Sequence, residues 1–418
     1  MANQALSGIR IADLTIITAG ACTTQILADL GAEVVKVEAG RYPDPFRTWQ
    51  GSAAMSDDIP DPWNHAPTFN MVNRNKRGVC LDLKSEQGRE AFLRLVEVSD
   101  AVTENFRQGV MQRLGLGYEV LKERNPNIVM LSLGSQGADG PESGYGSYGS
   151  TLDCLAGLTS LTGYPDSHPI WSSQEVNYPD QVASIFGAGL VLAGIRQRQR
   201  TGEGCYIDLS QREMVTTMIG EHVLGYTIEG RTPERAGNFH PQMVPNDCYR
   251  CSGENEWIAI SVTDESEWEA LCGVIERPDL SRADGYRTPE ERGDNLAQIR
   301  SAIEDWSSNR EKHEAMDQLQ TAGVRAAAVL TGKDMLENEH FWARQYYQRI
   351  ENHRSGAQSL RLSPFQLSRT PARINSPAPV LGQDTDDVLR DVLGYSDAEI
   401  TELRELGVTE STPKSRSA

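Results

Sequence analysis

An α/β fold built on a parallel sheet is what this chain predicts, and three features carry the prediction. First, GIRIADL (8–14) and EVVKVE (33–38) are apolar enough for buried strands, and ACTTQILADL between them has helical character and closes at Gly31. Strand, helix and strand within about thirty residues make a βαβ unit, so a parallel sheet begins at once. Second, further short apolar strands, DAVTENF, NIVMLSLG and CYIDLS, alternate with helical stretches up to about residue 220. Third, the character changes beyond Glu221. A hairpin, CYRCSGENEWIAISV, turns around Gly253-Glu254-Asn255, and helices with acidic faces fill 265–321, the pattern of a smaller α+β domain. The amphipathic end LGQDTDDVLRDVLGYSDAEITELRELGV then completes the first domain. The expected boundaries are 1–222, 223–335 and 336–418.

Composition narrows the function. At 418 residues the chain has room for about two or three domains and a large core. Hydrophobic content of 39% with seven Trp and thirteen Tyr fits a folded protein. Forty basic against fifty-nine acidic residues give a net charge of −19, which argues against nucleic acid or an anionic membrane as the main partner. An anionic small molecule needs only one local basic patch. Of seven scattered cysteines, Cys248 and Cys251 form a CYRC with no second pair or His cluster at useful spacing, so no metal site is expected. There is no signal-peptide pattern and no apolar run of bilayer length, so reduced thiols and a cytoplasmic location are the default.

In chain order, the turn after the first strand supplies Thr18-Ala19-Gly20-Ala21 rather than GxGxxG, so the acid Glu38 does not make a dinucleotide site. Residues 41–67, rich in Pro, Asp, Ser and Trp, read as a long ordered loop over a site or partner surface. Arg74, Lys76 and Arg77 sit together before a strand over Val79–Leu83, which suits either a phosphate site or a solvated turn. Ser85 caps a helix running to about Glu97, Asn105-Phe106 leads into a helix containing Arg113, and 134–150 is too glycine-rich for regular structure. LDCLAGLTSLTG reads as a small-residue helix.

The stretch NYPDQVASIFGAGLVLAGIRQRQRTGEGCYID (177–208) places Asp180 after a proline, at the start of a helix apolar almost all round and therefore expected to be buried. Arg196, Arg198 and Arg200 crowd its C-terminus, and Gly202 fits the left-handed position that follows a helix. Asp180 has two readings: a helix cap, or a carboxylate nucleophile steadied by the helix dipole against an apolar wall. His168, His222 and His240 are isolated and read as structural.

The blocks LSGIRIADLT, LADLGAEVVKVE, NRNKRGVCLDLK, ENFRQGVMQRLGL, RQRTGEGCYIDLS and LGQDTDDVLRDVLGYSDAEITELRELGV, in this order, resemble the class III CoA-transferase family. That family includes formyl-CoA and carnitine CoA-transferases and, as a branch, α-methylacyl-CoA racemase. The resemblance implies that Asp180, twenty-one residues before Thr201, is the catalytic carboxylate. It attacks an acyl-CoA thioester to form a mixed anhydride, then an aspartyl-CoA thioester, with coenzyme A thioester as substrate and no permanent cofactor or metal. By the same resemblance CoA is lined by Ile17 and Thr18, by Asn75, Lys76 and Arg77 of the basic turn, and by Asn105, Phe106 and Arg113.

Two departures bear on the activity. Racemase members carry a His where Tyr148 stands, and a two-base racemase lacks one base here. The second domain reads AGNFHPQMVPNDCYR where some transferases have a glycine-rich flap. Tyr148, Trp171 and Gln174 are candidates for an acyl pocket. The resemblance implies a Rossmann-like large domain in an interlocked-ring dimer, homodimeric or heteromeric with a paralogous subunit. It also implies CoA transfer from a donor such as succinyl-CoA to a carboxylic acid, with the YPD setting pointing to aryl or dicarboxylic acids such as benzylsuccinate. The rivals are a 2-methylacyl-CoA racemase and a non-catalytic partner subunit.

Overall fold

The computed structural model describes residues 4–49, 59–171, 178–352 and 356–413. Two compact units share the chain: 1–159, 171–230 and 342–418 form one, and 160–170 with 231–341 the other. In the first unit β1 (Arg10–Asp13), β2 (Glu33–Glu38), β3 (Lys76–Cys80), β4 (Ala101–Glu104), β5 (Val129–Gly134) and β6 (Cys205–Ser210) form a parallel sheet in the order β3-β2-β1-β4-β5-β6. The order of crossing reverses between β1 and β4, and a crevice opens at the carboxyl ends of strands so placed.

Both faces of the sheet are covered, which is why its strands read as continuous apolar runs. On one face Ile11, Val34, Val129 and Leu131 pack with Leu27 of α1 (Ala19–Asp29) and with Ala183 and Val191 of a long helix further along. On the other, Val35, Val102 and Met130 pack with Phe92 and Leu95 and with Val388, Leu389, Ile400 and Leu403 of the C-terminal segment. Residues 373–385 also run beside the edge strand. Gly78 N–H donates to Asp384 Oδ2 at 2.8 Å, Cys80 N–H donates to Thr385 Oγ1 at 3.0 Å, and Asp384 N–H donates to Gly78 O at 2.8 Å.

Three sequence expectations change. β3 begins three residues before the expected Val79, so Lys76 and Arg77 are strand residues paired with Val34 and Val35 rather than part of a turn. The strand tolerates these cations because carboxylates meet them, as described below. The expected small-residue helix at 152–163 is α5 (Gly149–Leu155), with α2 (Pro45–Thr48), α3 (Glu86–Glu97) and α4 (Val110–Arg113) preceding it. The Asp180 helix, α6 (Tyr178–Thr201), buries one face through Ala183, Ser184, Gly187, Ala188, Val191, Gly194 and Ile195. Ile185 and Phe186 on its other face are 62% and 42% exposed, so within one chain it is not buried all round. The second helix after β6, α7 (Gly220–Glu229), buries no residue at all, leaving Val223, Leu224, Tyr226 and Ile228 open.

In the second unit β7 (Asn246–Arg250), β8 (Trp257–Ser261) and β9 (Arg325–Ala328) form an antiparallel sheet. Arg250 pairs with Trp257 across the expected hairpin. The helices α8 (Glu265–Val274), α9 (Leu296–Ser307) and α10 (Lys312–Thr321) cover it around Trp268, Leu271, Ile303 and Leu319. No helix among the described residues is long and apolar enough to cross a membrane, and none of their His, Cys, Asp and Glu side chains group in a way that could hold a metal.

Candidate active site

The loop after β1 and the segment after β4 meet at the crevice, and side chains tie them together. Ile16 N–H donates to Asn105 Oδ1 at 2.8 Å, and Asn105 Nδ2 donates to Ile16 O at 2.9 Å, so one carboxamide grips both polar atoms of the residue. Ile17 N–H donates to Asp44 Oδ1 at 3.1 Å, and Lys36 Nζ donates to Thr15 O at 2.6 Å. Ile17 itself sits at φ +60°, a region that β-branched residues avoid. Asp44 and Lys36, both fully buried, pair at 3.0 Å, and Asp44 also caps α2 through Phe46 N–H at 3.0 Å.

α1 starts directly after this loop, with Thr18 as N-cap but no side-chain cap bond. Its opening residue touches α6 one turn on from Asp180: Ser184 Oγ lies 2.8 Å from Ala19 O and 2.6 Å from Asp180 O, and Thr23 Oγ1 donates to Ala19 O at 2.9 Å. The approach is close because residue 187 is glycine; a Cβ there would meet Thr23 Oγ1 at 2.9 Å. Asp180 is 8% exposed, in the helix's first turn, where the positive end of the dipole favours a carboxylate. Cys22, one turn into α1, is close enough to feel it. Burial pushes that thiol up, Arg361, Lys76 and Arg74 pull it down, and Asp180 adds to the upward push.

Ile17, Thr18, Asn105 and Phe106 therefore gather at the crevice; Thr18 is buried and Phe106 is half-buried against the core. Arg113 ends α4, exposed and without an ion pair among the described residues. Tyr148, the N-cap of α5, is 67% exposed with its ring 6.1 Å from that of Trp49, which in turn lies 6.1 Å from Phe46. Trp171 is 46% exposed, and Gln174 lies outside the described residues.

Asn75, Lys76 and Arg77 stand at the start of the edge strand β3, two strands from the crevice, and each has polar groups bonded to the protein itself. The fully buried Lys76 ammonium donates to Asp13 Oδ2 at 3.0 Å, Ala21 O at 3.0 Å and Asn73 Oδ1 at 2.9 Å, which uses its three donors. Asn75 donates to Asp29 and Arg373 O and accepts from Asn375 N–H and Ser376 N–H. Arg77 pairs with Glu33 at 2.9 Å, and Arg74 forks onto Asp29 at 3.1 and 2.7 Å. Burial pulls Lys76 down to about 8. Burial alone would raise Asp13, but Lys76, Lys36 and the Thr15 hydroxyl outweigh it and hold the carboxyl below its usual range.

The sequence reading missed Lys36 and Asp44. Both left a trace: a lysine in the middle of EVVKVE, where a buried parallel strand should be apolar, and Asp44-Pro45, a helix-start signature.

The CoA-transferase family III profile matches residues 6–385. The succinyl-CoA–D-citramalate CoA-transferase of Chloroflexus aurantiacus is 29% identical over 96% of this chain and 96% of its own. The alpha subunit of the succinyl-CoA–L-malate CoA-transferase from the same species is 32% identical over 96% of this chain and 91% of its own. Among solved structures, a CAIB/BAIF family protein from Brucella suis superposes with a TM-score of 0.84 at 27% identity, over 94% of this chain and 100% of that one. The α/β sheet, the order of its strands and a profile match over nearly the whole chain lead to one conclusion: this chain belongs to CoA-transferase family III and is a CoA-transferase.

Proposed function

We propose that the chain moves CoA from succinyl-CoA to a short dicarboxylic acid, with Asp180 as the covalent nucleophile. The observation that carries the reading is the placement of Asp180: nearly buried, in the first turn of α6, against the start of α1 beside the β1–β4 crevice. One Asp180 oxygen attacks the thioester carbonyl, the C–S bond breaks, and CoA thiolate leaves a mixed anhydride. The thiolate attacks the Asp180 carbonyl, expelling succinate and giving the aspartyl-CoA thioester. The acceptor carboxylate attacks that thioester, releasing thiolate and a second anhydride. Thiolate attack on the acceptor's acyl carbonyl then yields the new acyl-CoA and frees Asp180. Burial keeps water from these intermediates.

Ile17, Thr18, Asn105 and Phe106 border the CoA site in this reading, and Arg113 is the cation that meets a phosphate. The donor and acceptor class follow from the citramalate and malate relatives. An aryl-substituted acid such as benzylsuccinate is the second reading, favoured by the half-open Trp49–Tyr148 pair. The position where racemase members carry a base holds Tyr148, which speaks for transfer. A second copy or a paralogous subunit completes the assembly, a reading supported by the open apolar side chains of α6 and α7. A cytoplasmic setting fits the seven free thiols.

The test is to incubate the protein with succinyl-CoA and hydroxylamine and to look for a modified Asp180 by mass spectrometry. Asp180→Ala should lose roughly a thousand-fold or more in kcat, as removal of a covalent nucleophile does. A fully active Asp180→Ala variant, with Asp180 unmodified in the parent, would sink the mechanism. Offering citramalate, malate and benzylsuccinate in turn separates the two acceptor readings.

A further inference from the structure

Residues 15–17 are held far more heavily than a surface loop needs to be. Asn105 takes both polar atoms of Ile16, Asp44 takes the Ile17 N–H, and Lys36 takes the Thr15 carbonyl. Asp13 accepts from the Thr15 N–H at 2.9 Å and from its hydroxyl at 2.5 Å. Asp13, Lys36 and Asp44 are all completely buried. Packing closes the same place: a Cβ on Gly20 would meet Thr15 Cβ at 2.4 Å and Asn105 Cγ at 3.0 Å. At the centre is Ile17 at φ +60°, a conformation a β-branched residue keeps only where its surroundings over-determine it. Such strain gathers where geometry matters to function. Ile17 is the last turn before Thr18 and α1, and the Ala19 carbonyl of α1 meets Ser184 one turn on from Asp180.

We propose that Asn105 is a positioning residue: its carboxamide locks Ile16 and, together with Asp44, keeps Ile17 left-handed, which fixes the start of α1 against the Asp180 turn. The inference rests on the reading of Asp180 as nucleophile and assigns Asn105 a part other than direct contact with CoA. Without the clamp Ile17 relaxes to negative φ, the start of α1 shifts, and the reacting carboxylate loses its alignment. A glycine at position 17 holds positive φ without penalty, so it makes the clamp largely dispensable.

The experiment is a double-mutant cycle on the full-length protein, read as kcat and as KM for succinyl-CoA. Asn105→Ala is expected to lower kcat by about ten-fold to a hundred-fold while KM moves less than about three-fold, the signature of misalignment rather than lost binding. In the Ile17→Gly background the same substitution is expected to lower kcat by at least about five-fold less, a coupling that a general folding defect would not produce. Should Asn105→Ala not fold, Asn105→Asp serves in its place, since a carboxylate still accepts the Ile16 N–H but cannot donate to the Ile16 carbonyl. A rise in KM at unchanged kcat, or equal losses in the two backgrounds, overturns the proposal. Hydroxylamine trapping on the parent protein is run first. Its failure counts against Asp180 alone, because the kinetic cycle judges the clamp independently.

Discussion

Glu104 ends β4 inside the protein, with Asn105 and Phe106 following it into the crevice. Its carboxylate accepts the Phe106 N–H at 2.7 Å and a hydrogen bond from Ser132, and Asp208 lies nearby. Burial raises this carboxyl above its usual range; the two hydrogen bonds pull it down without cancelling that effect, and Asp208 pushes it up further. The sign is then fixed by linkage. The folded protein holds this proton to higher pH than the unfolded chain, so the group's stabilising share is complete in acid and is lost as pH rises through the elevated value. Glu104→Gln should therefore melt at a higher temperature than the parent at neutral pH, with the gap closing as pH falls below the ordinary carboxylate range. Thermal melts of both proteins across that span check it, and a gap that widens in acid contradicts it. Individual residues were legible where their chemistry is local, as with Ser85 as a cap, which accepts Gly88 N–H at 2.9 Å. The ion pairs of the basic run 74–77 were not legible, because a cation facing solvent and one facing Asp13 or Asp29 look the same in one dimension.

Among the elements, α6 is set by where it is small. A Cβ on Gly194 would come within 2.7 Å of Val129 Cγ1 and 3.2 Å of Ile207 Cδ1, both sheet residues beneath the helix. Gly194→Ala should accordingly destabilise the fold by about 1–3 kcal/mol, the usual penalty of overpacking, despite alanine's better helix propensity. Gly273 in α8 meets nothing within 4 Å of an added Cβ, and the same change there should stabilise by about 0.5 kcal/mol. Denaturant melts of the two variants should move in opposite directions; a common direction would show that packing does not decide. The periodicity of α6 announced a buried helix, and the sheet buries only part of it. An apolar surface meant for a second chain cannot be told by pattern from one meant for the same chain.

At the scale of the molecule, the parallel sheet was readable from strands alternating with helices. Strand order was not, since β1 pairing with β4 rests on contacts about ninety residues apart in sequence. The resemblance to a family supplied what periodicity could not. The open side chains of α7, Ile228 at 74% and Leu224 at 60% exposure, bear on assembly. Ile228→Glu is expected to shift the protein to a monomer in sedimentation velocity, or to leave it aggregated, because a patch of this kind is rarely left to water. A monomeric parent would contradict the assembly reading.

The fastening of residues 373–385 along β3 has a consequence in time rather than in space. While a ribosome is still making the chain, β3 emerges some three hundred residues before Asp384 and Thr385, which satisfy its outer N–H groups. Throughout that interval the nascent sheet has an open edge of the kind that recruits foreign strands, whereas the 231–341 segment of the second unit can already close around Trp268. The order of synthesis thus makes the inserted unit the earlier one to mature. The larger unit that carries Asp180, though begun first, keeps that edge open until its final strap is delivered.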